Sequence, residues 1–218
     1  MKRFTIIALL LFVAAGIFGQ QAVIQELIGT VELRKAGSAW ESAVKGQTIS
    51  GDTTISTGFK STAHISLGSS LLIVRPLTRL TLKELTHKQE TEKVELNVAA
   101  GRVRAQVKAP SGGRAEFTLQ TPPATASVRG TIFELDVFSL WVIEGSVEYA
   151  GHSGAPVLID SGGYSYINER TGWAVIPEET LFSVLKPELP IASALVGTLG
   201  KSAQGQNTFE VGTEIEYP

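Results

Sequence analysis

The sequence predicts an all-β fold, and three observations carry that prediction. Apolar residues alternate with polar ones in "TVELRK" (Val31, Leu33), "AHISLG" (Ile65, Leu67) and "RLTLKEL" (Leu80, Leu82 and an offset Leu85), the period of a strand with one buried face. Turn residues recur between these runs, as in "KAGS", "KGQ", "SGD", "STGFKS", "LGSS", "SGGR", "EGS" and "DSGGYS", and most of the 22 glycines lie there. Hydrophobic residues make up 43% and charged residues 18% of the 218 positions, enough apolar material for a core. Short strands at this spacing suit a sandwich, a barrel or a solenoid.

At the N-terminus, "MKRFTIIALLLFVAAGIFGQQAV" has the form of a secretory signal peptide over residues 1–19. Lys2 and Arg3 form a positive head, an apolar run follows, and Ala14, Ala15, Gly16 and Gly19 lead to a cleavage position after Gly19. The apolar stretch, residues 4–19, is shorter than the roughly 20 residues of a spanning helix. An uncleaved anchor is the competing reading and would be the chain's only membrane contact. Cysteine is absent, so the core must hold without disulfides and an acylated N-terminal cysteine is ruled out.

The tripeptide Gly-x-Val occurs at Gly29, Gly101 and Gly145, each time opening a strand after a turn, a weak internal repeat. The segment "KELTHKQETEKVEL" is rich in Glu and Lys and shows no clear apolar face. A helix and an exposed hairpin loop both fit it, and it is expected to be a solvated excursion. After the β region, residues 27–176, a C-terminal extension of residues 177–218 is expected. It is broken by Pro177, Pro187 and Pro190 and has short helix candidates at residues 178–185 and 191–199.

Trp40, Gly46, Gly51-Asp52, Thr57-Gly58, Thr121-Pro122, the "VRGT" stretch at Val128 to Thr131, and Glu144-Gly145 occur in a set order and spacing. On these, residues 27–150 resemble the FecR domain, named for the periplasmic regulator of iron citrate uptake. The resemblance fades through "VLIDSGGYSYINERTGW" to about Trp173. It implies short strands wound in a solenoid-like or sandwich-like domain. It also implies a relationship to sensors that combine a cytoplasmic anti-sigma segment, one membrane helix and a periplasmic FecR domain. Only three residues precede the apolar run here, so no such cytoplasmic segment is expected.

Within "TPPATASVRGTIFELDV", Pro122 and Pro123 cannot donate ladder hydrogen bonds, so the chain is expected to leave the sheet and run extended there. Ala124, Ala126 and Ser127 would pass close beneath a neighbouring layer. Gly130 would permit tight backbone approach, and Thr131, Phe133, Leu135 and Val137 would resume a strand. Arg129 is expected to tie this crossing to the first half by pairing with an acid, Asp52 first among them, or with turn carbonyls. The alternative is an exposed Arg129 that grips a ligand anion or a partner carboxylate.

Asp52 after Gly51 fits a turn in which its carboxylate caps backbone amides, and no further oxygen ligands at useful spacing suggest a metal. Trp40, Trp141 and Trp173 are expected as core or rim anchors, with an aromatic platform for a glycan as the alternative. His64, His87 and His152 are isolated from one another and form no zinc pattern. Ser-x-x-Lys occurs at Ser42 and Ser183 without the accompanying motifs of penicillin-recognising enzymes. No phosphate loop, dinucleotide fingerprint or nucleophile elbow is present.

The net charge is −2 without a dense basic patch, which argues against a nucleic-acid partner. The sequence therefore points to a non-catalytic, cofactor-free binding or interaction module, exported to the bacterial envelope, periplasmic or secreted. Its partner would be an envelope protein, engaged through a strand edge or the C-terminal apolar segments, or a wall glycan. A carbohydrate- or peptidoglycan-binding protein and a membrane-anchored envelope sensor are the alternatives. Trp40, Asp52, Arg129, Gly130 and Thr131 are the candidate structural or partner-binding residues.

Overall fold

A computed structural model describes residues 22–177. The expected signal peptide at residues 1–19, and the expected C-terminal extension with its two helix candidates, lie outside the described residues apart from Pro177. The described residues form eighteen strands and no helix.

Two open nine-stranded sheets build the fold. Sheet A contains β1 (Ala22–Ile28), β4 (Thr48–Ile49), β6 (Thr62–Leu67), β7 (Ser70–Val74), β10 (Arg102–Gln106), β13 (Ile132–Asp136), β14 (Ser139–Glu144), β17 (Tyr164–Asn168) and β18 (Trp173–Val175). Sheet B contains β2 (Val31–Lys35), β3 (Glu41–Ser42), β5 (Thr53–Thr57), β8 (Arg79–Lys88), β9 (Thr91–Ala100), β11 (Arg114–Gln120), β12 (Ala124–Val128), β15 (Ser146–Gly151) and β16 (Val157–Asp160). From β5 onward the chain adds strands singly or in hairpins, first to one sheet and then to the other, so both grow in the same direction. β9 and β11 lie parallel because β10 crosses to sheet A between them.

The period-two residues meet in one core. Val31, Leu33, Ile65, Leu67, Leu80 and Leu82 are all buried, together with Phe117, Phe133 and Tyr149. A register shift between Leu82 and Glu84 explains why Leu85 falls out of phase with the leucines before it. A similar shift between Ile24 and Glu26 disguises β1, which begins at Ala22, before the expected domain boundary at residue 27.

The Gly-x-Val repeat has one structural meaning at its three occurrences. Gly29, Gly101 and Gly145 each stand where the chain crosses between sheets, and each is followed by a buried valine. Each also packs against a buried hydroxyl residue of an adjacent crossing, and that residue binds the backbone of the middle position. Ser61 Oγ accepts from Thr30 N (2.8 Å), Thr78 Oγ1 accepts from Arg102 N (2.9 Å), and Thr131 Oγ1 donates to Ser146 O (2.8 Å). At Gly101 the backbone is left-handed (φ 85°), and an added Cβ would lie 2.5 Å from Thr78 Cα and 2.6 Å from the Leu77 carbonyl oxygen.

Two expectations about the chain path are corrected. "KELTHKQETEKVEL" is no excursion: it belongs to the β8–β9 hairpin, which turns at Gln89 and Glu90, both with positive φ (45° and 67°). That backbone matches the twist of the paired strands but lacks the usual Asn-Gly signature. Within it Glu92 occupies an inward position and accepts hydrogen bonds from Ser69 N (3.1 Å to each oxygen) at the β6–β7 turn. Pro122 and Pro123 do not begin an extended run. They form the tip of the β11–β12 hairpin, closed by the Thr121 and Ala124 backbones, and Ala124 and Ala126 are ladder residues of β12.

Tyr149 is fully buried and its hydroxyl has no hydrogen-bond partner among the described residues; burial pushes its phenol pKa up. Removing that hydroxyl is expected to be neutral or to stabilise by up to about 1 kcal/mol in Tyr149→Phe. Gly101→Ala, in contrast, is expected to cost about 2–4 kcal/mol, because it adds both a clash and a strained φ. Urea unfolding of the two variants measures both. Equal stability of Gly101→Ala and the wild type would contradict the packing at this crossing.

Candidate functional site

The two outer faces of the sheets differ in chemistry. Along sheet B the outward positions include Glu84, Glu95, Thr118, Ser127 and Glu148, and Lys93 donates to Glu84 Oε2 at 2.5 Å, holding that carboxyl below its ordinary pKa. Along sheet A the outward row runs Glu26, His64, Ile73, Arg104, Glu134, Trp141, Tyr164 on successive strands, each opposite the next. His64 is half-buried there, with Nδ1 3.3 Å from Glu26 Oε2. The row ends in aromatic residues.

Trp141 is 58% exposed and Tyr164 and Tyr166 are each 37% exposed, on β14 and β17. The two tyrosine rings lie 6.3 Å apart at a tilt of 31°. Beside them runs a groove of about 350 Å³ lined by Arg102, Glu134, Asp136, Ser139, Trp141 and Tyr164. It shares Arg102, Glu134 and Asp136 with a second depression that reaches Arg75 and Leu77.

One carboxylate of this groove is held in place before any ligand arrives. Asp136 Oδ1 accepts from Phe138 N (2.9 Å) and Ser139 N (2.7 Å), and Oδ2 accepts from Ser139 Oγ (2.8 Å) and Arg102 Nη2 (3.3 Å). The tight β13–β14 turn is therefore organised by a side chain on the groove wall. Arg75 Nε stands 3.4 Å from Glu134 Oε1. Of these polar groups Asp136 is held by hydrogen bonds, whereas Arg75 Nε, though buried, has no hydrogen-bond partner among the described residues, so the groove combines one fixed carboxylate with open polar groups beside exposed rings.

The residues singled out from the sequence do not gather at this site. Trp40 is half-buried on the far side of sheet B, with the Arg34 guanidinium 4.6 Å and the Arg79 guanidinium 5.8 Å from its ring centroid. It is a rim anchor held by cation–π contacts. Asp52 does not pair with Arg129, and its carboxylate caps no backbone amide: it takes a left-handed turn conformation (φ 56°) and its carboxylate lies 3.4 Å from Lys83 Nζ. Arg129 is exposed, makes no ion pair among the described residues, and stands where two grooves of sheet B meet.

Gly130 has a positive φ (70°), and among the described residues nothing lies within 4 Å of where a Cβ would be, so the expected close backbone approach is not seen there. Thr131 is the structural member of the group, buried and bonded to Ser146 O, while its own carbonyl accepts from Val107 N at 2.9 Å. Of the three tryptophans, Trp141 and Trp173 are exposed rather than core anchors. Trp141 belongs to the aromatic face, and Trp173 lies against Gly154. The tyrosines at 164 and 166 escaped notice because only folding brings β17 beside β14.

Among the described residues the outermost strands β4, β3, β18 and β16 have two to four residues each, and β4 pairs with only Ala22 and Val23 of the seven-residue β1. Arg129→Ala is expected to change stability by less than about 0.5 kcal/mol, since the side chain is exposed and unpaired. Thr131→Val should cost about 1–2 kcal/mol through the orphaned Ser146 carbonyl and the lost hydroxyl bond. Thermal unfolding of the two variants tests this contrast, and a reversed order would overturn the assignment.

Comparison with known proteins adds the family. Residues 53–148 match the family model described as FecR protein, a span narrower than residues 27–150 on which the sequence resemblance rests. It includes Arg129, Gly130, Thr131, Glu134, Asp136 and Trp141, while Trp40, Asp52 and the two tyrosines lie outside it. Two crystal structures of a candidate anti-sigma factor from Parabacteroides distasonis are similar to 60% of this chain and 62% of theirs, at 17% identity and a TM-score of 0.47. The chain thus spans less than two thirds of that protein's length. No curated protein matches it significantly. Residues 53–148, which include the crossings at Val128 to Thr131 and at Gly145, are thus a FecR domain within this chain.

Proposed function

We propose that this chain is an exported, non-catalytic binding domain of the bacterial cell envelope, of the kind FecR regulators use for sensing. The observation that carries this reading is the aromatic face of sheet A beside a groove lined by the ion pairs Arg75–Glu134 and Arg102–Asp136, within and next to the matched FecR region. Binding through such a face needs no reacting group, because apolar ring surface supplies affinity and oriented polar groups supply selectivity. The alternate growth of the two sheets supports reading the winding as solenoid-like.

Export is supported by the positive head, apolar run and small residues of residues 1–19. In this reading the domain works as a stand-alone module rather than relaying a signal to a sigma factor, and its ligand resides in the envelope.

The intact mass of the native protein, after separation of soluble envelope, membrane and medium, tests the export. The expected result is a chain that lacks its first 19 residues in a soluble fraction. A full-length chain in the membrane fraction would replace the free module with an anchored sensor.

A further inference from the structure

We propose that the groove on the outer face of sheet A binds the glycan chain of the bacterial cell wall, with Trp141 and Tyr164 as stacking platforms. This rests on the reading of the domain as an envelope binding module and names the ligand of its site.

The first argument is charge. The groove and its extension place two guanidinium groups, Arg75 and Arg102, against two carboxylates, Glu134 and Asp136, and the formal charges cancel. Such a surface favours neither an anion nor a cation. It offers donors and acceptors side by side, which is what a neutral, hydroxyl-rich chain requires.

The second argument separates a saccharide from a protein surface. The centres of protein interfaces are depleted of charged residues, and burying paired ions under an apolar partner carries a large desolvation cost. Here the ion pairs line the groove beside the rings. Sugar hydroxyls can replace water at these groups bond for bond, while the C–H face of a pyranose covers the aromatic surface that water leaves unsatisfied.

The third argument is preorganisation and shape. Asp136 accepts four hydrogen bonds from its own turn and from Arg102, which fills its acceptor sites and shapes the groove wall, so Arg102 and Glu134 are the groove residues that supply polar contacts to a ligand. From β10 to β17 the site crosses three strand spacings, about 14 Å, the scale of a short oligosaccharide. At one end stands Leu77, 62% exposed and in a left-handed conformation (φ 56°), which is a strained state for a bulky side chain. Backbone strain of this kind concentrates at ligand sites.

The test uses calorimetric titration of the native protein with the tetramer of N-acetylglucosamine, and co-sedimentation with purified wall sacculi. Wild type should bind both. Trp141→Ala and Tyr164→Ala should weaken binding at least about tenfold, Trp141→Phe should restore part of it, and Trp40→Ala, on the other sheet, should bind as wild type does. Trp141 is exposed, so unchanged melting temperatures are expected for its variants.

Absence of binding by the wild type, or equal binding by Trp141→Ala, overturns the proposal. A photo-crosslinking residue at position 141 in living cells separates the two levels of the argument. Crosslinks to an envelope protein, without glycan binding, overturn the saccharide assignment but leave the binding-module reading in place. Neither crosslinks nor glycan binding would remove both.

Discussion

A glycine in the left-handed conformation, pressed against a buried hydroxyl, is the contact on which the two-sheet structure depends. At Gly29, Gly101 and Gly145 the chain moves from one sheet to the other, and its backbone groups must leave one ladder before joining the next. A buried peptide group without a partner costs as much as a lost hydrogen bond. Ser61, Thr78 and Thr131 supply partners at these points; a Cβ would clash outright at Gly29 and Gly101 and would crowd Thr131 at Gly145. Thr78 does this twice over, accepting from Arg102 N and donating to Arg102 O.

These crossings determine where the functional face lies. Because the chain alternates between sheets, strands that are neighbours in sheet A come from distant parts of the sequence: β7 pairs with β10, and β14 with β17. Arg75 thereby meets Glu134, and Trp141 meets Tyr164. The same alternation gives sheet B a separate surface of carboxylates, hydroxyls and lysine. One domain thus presents two chemically unlike faces.

The polar interior has a related logic. Glu92 points inward, where its strand position demands an apolar residue, yet its carboxylate closes the β6–β7 turn of the opposite sheet through Ser69 N. It links the sheets by direct hydrogen bonds. The Tyr149 hydroxyl, buried without a partner among the described residues, shows the opposite outcome, in which the ring is kept for its volume and the polar atom is a local cost.

By itself the sequence determined the all-β class, the buried registers of Val31, Ile65, Leu80 and Phe133, the Gly-x-Val crossings and the FecR resemblance. These follow from local periodicity and from glycine, whose signals act over a few residues. It misjudged the β8–β9 hairpin, since a left-handed Gln89-Glu90 turn carries no usual marker and Glu92 interrupts the apolar alternation. It singled out Arg129 and Gly130 and expected Arg129 to meet Asp52, whereas Asp52 takes Lys83 and the buried contact belongs to Thr131. Of the aromatic groove the sequence offered only Trp141, grouped with Trp40 and Trp173 in the alternative glycan platform, and its actual neighbours were decided by tertiary structure. Trp141, Tyr164, Arg102 and Asp136 become neighbours through strand pairing across up to about sixty residues, and no local pattern encodes which outward side chains will share a row.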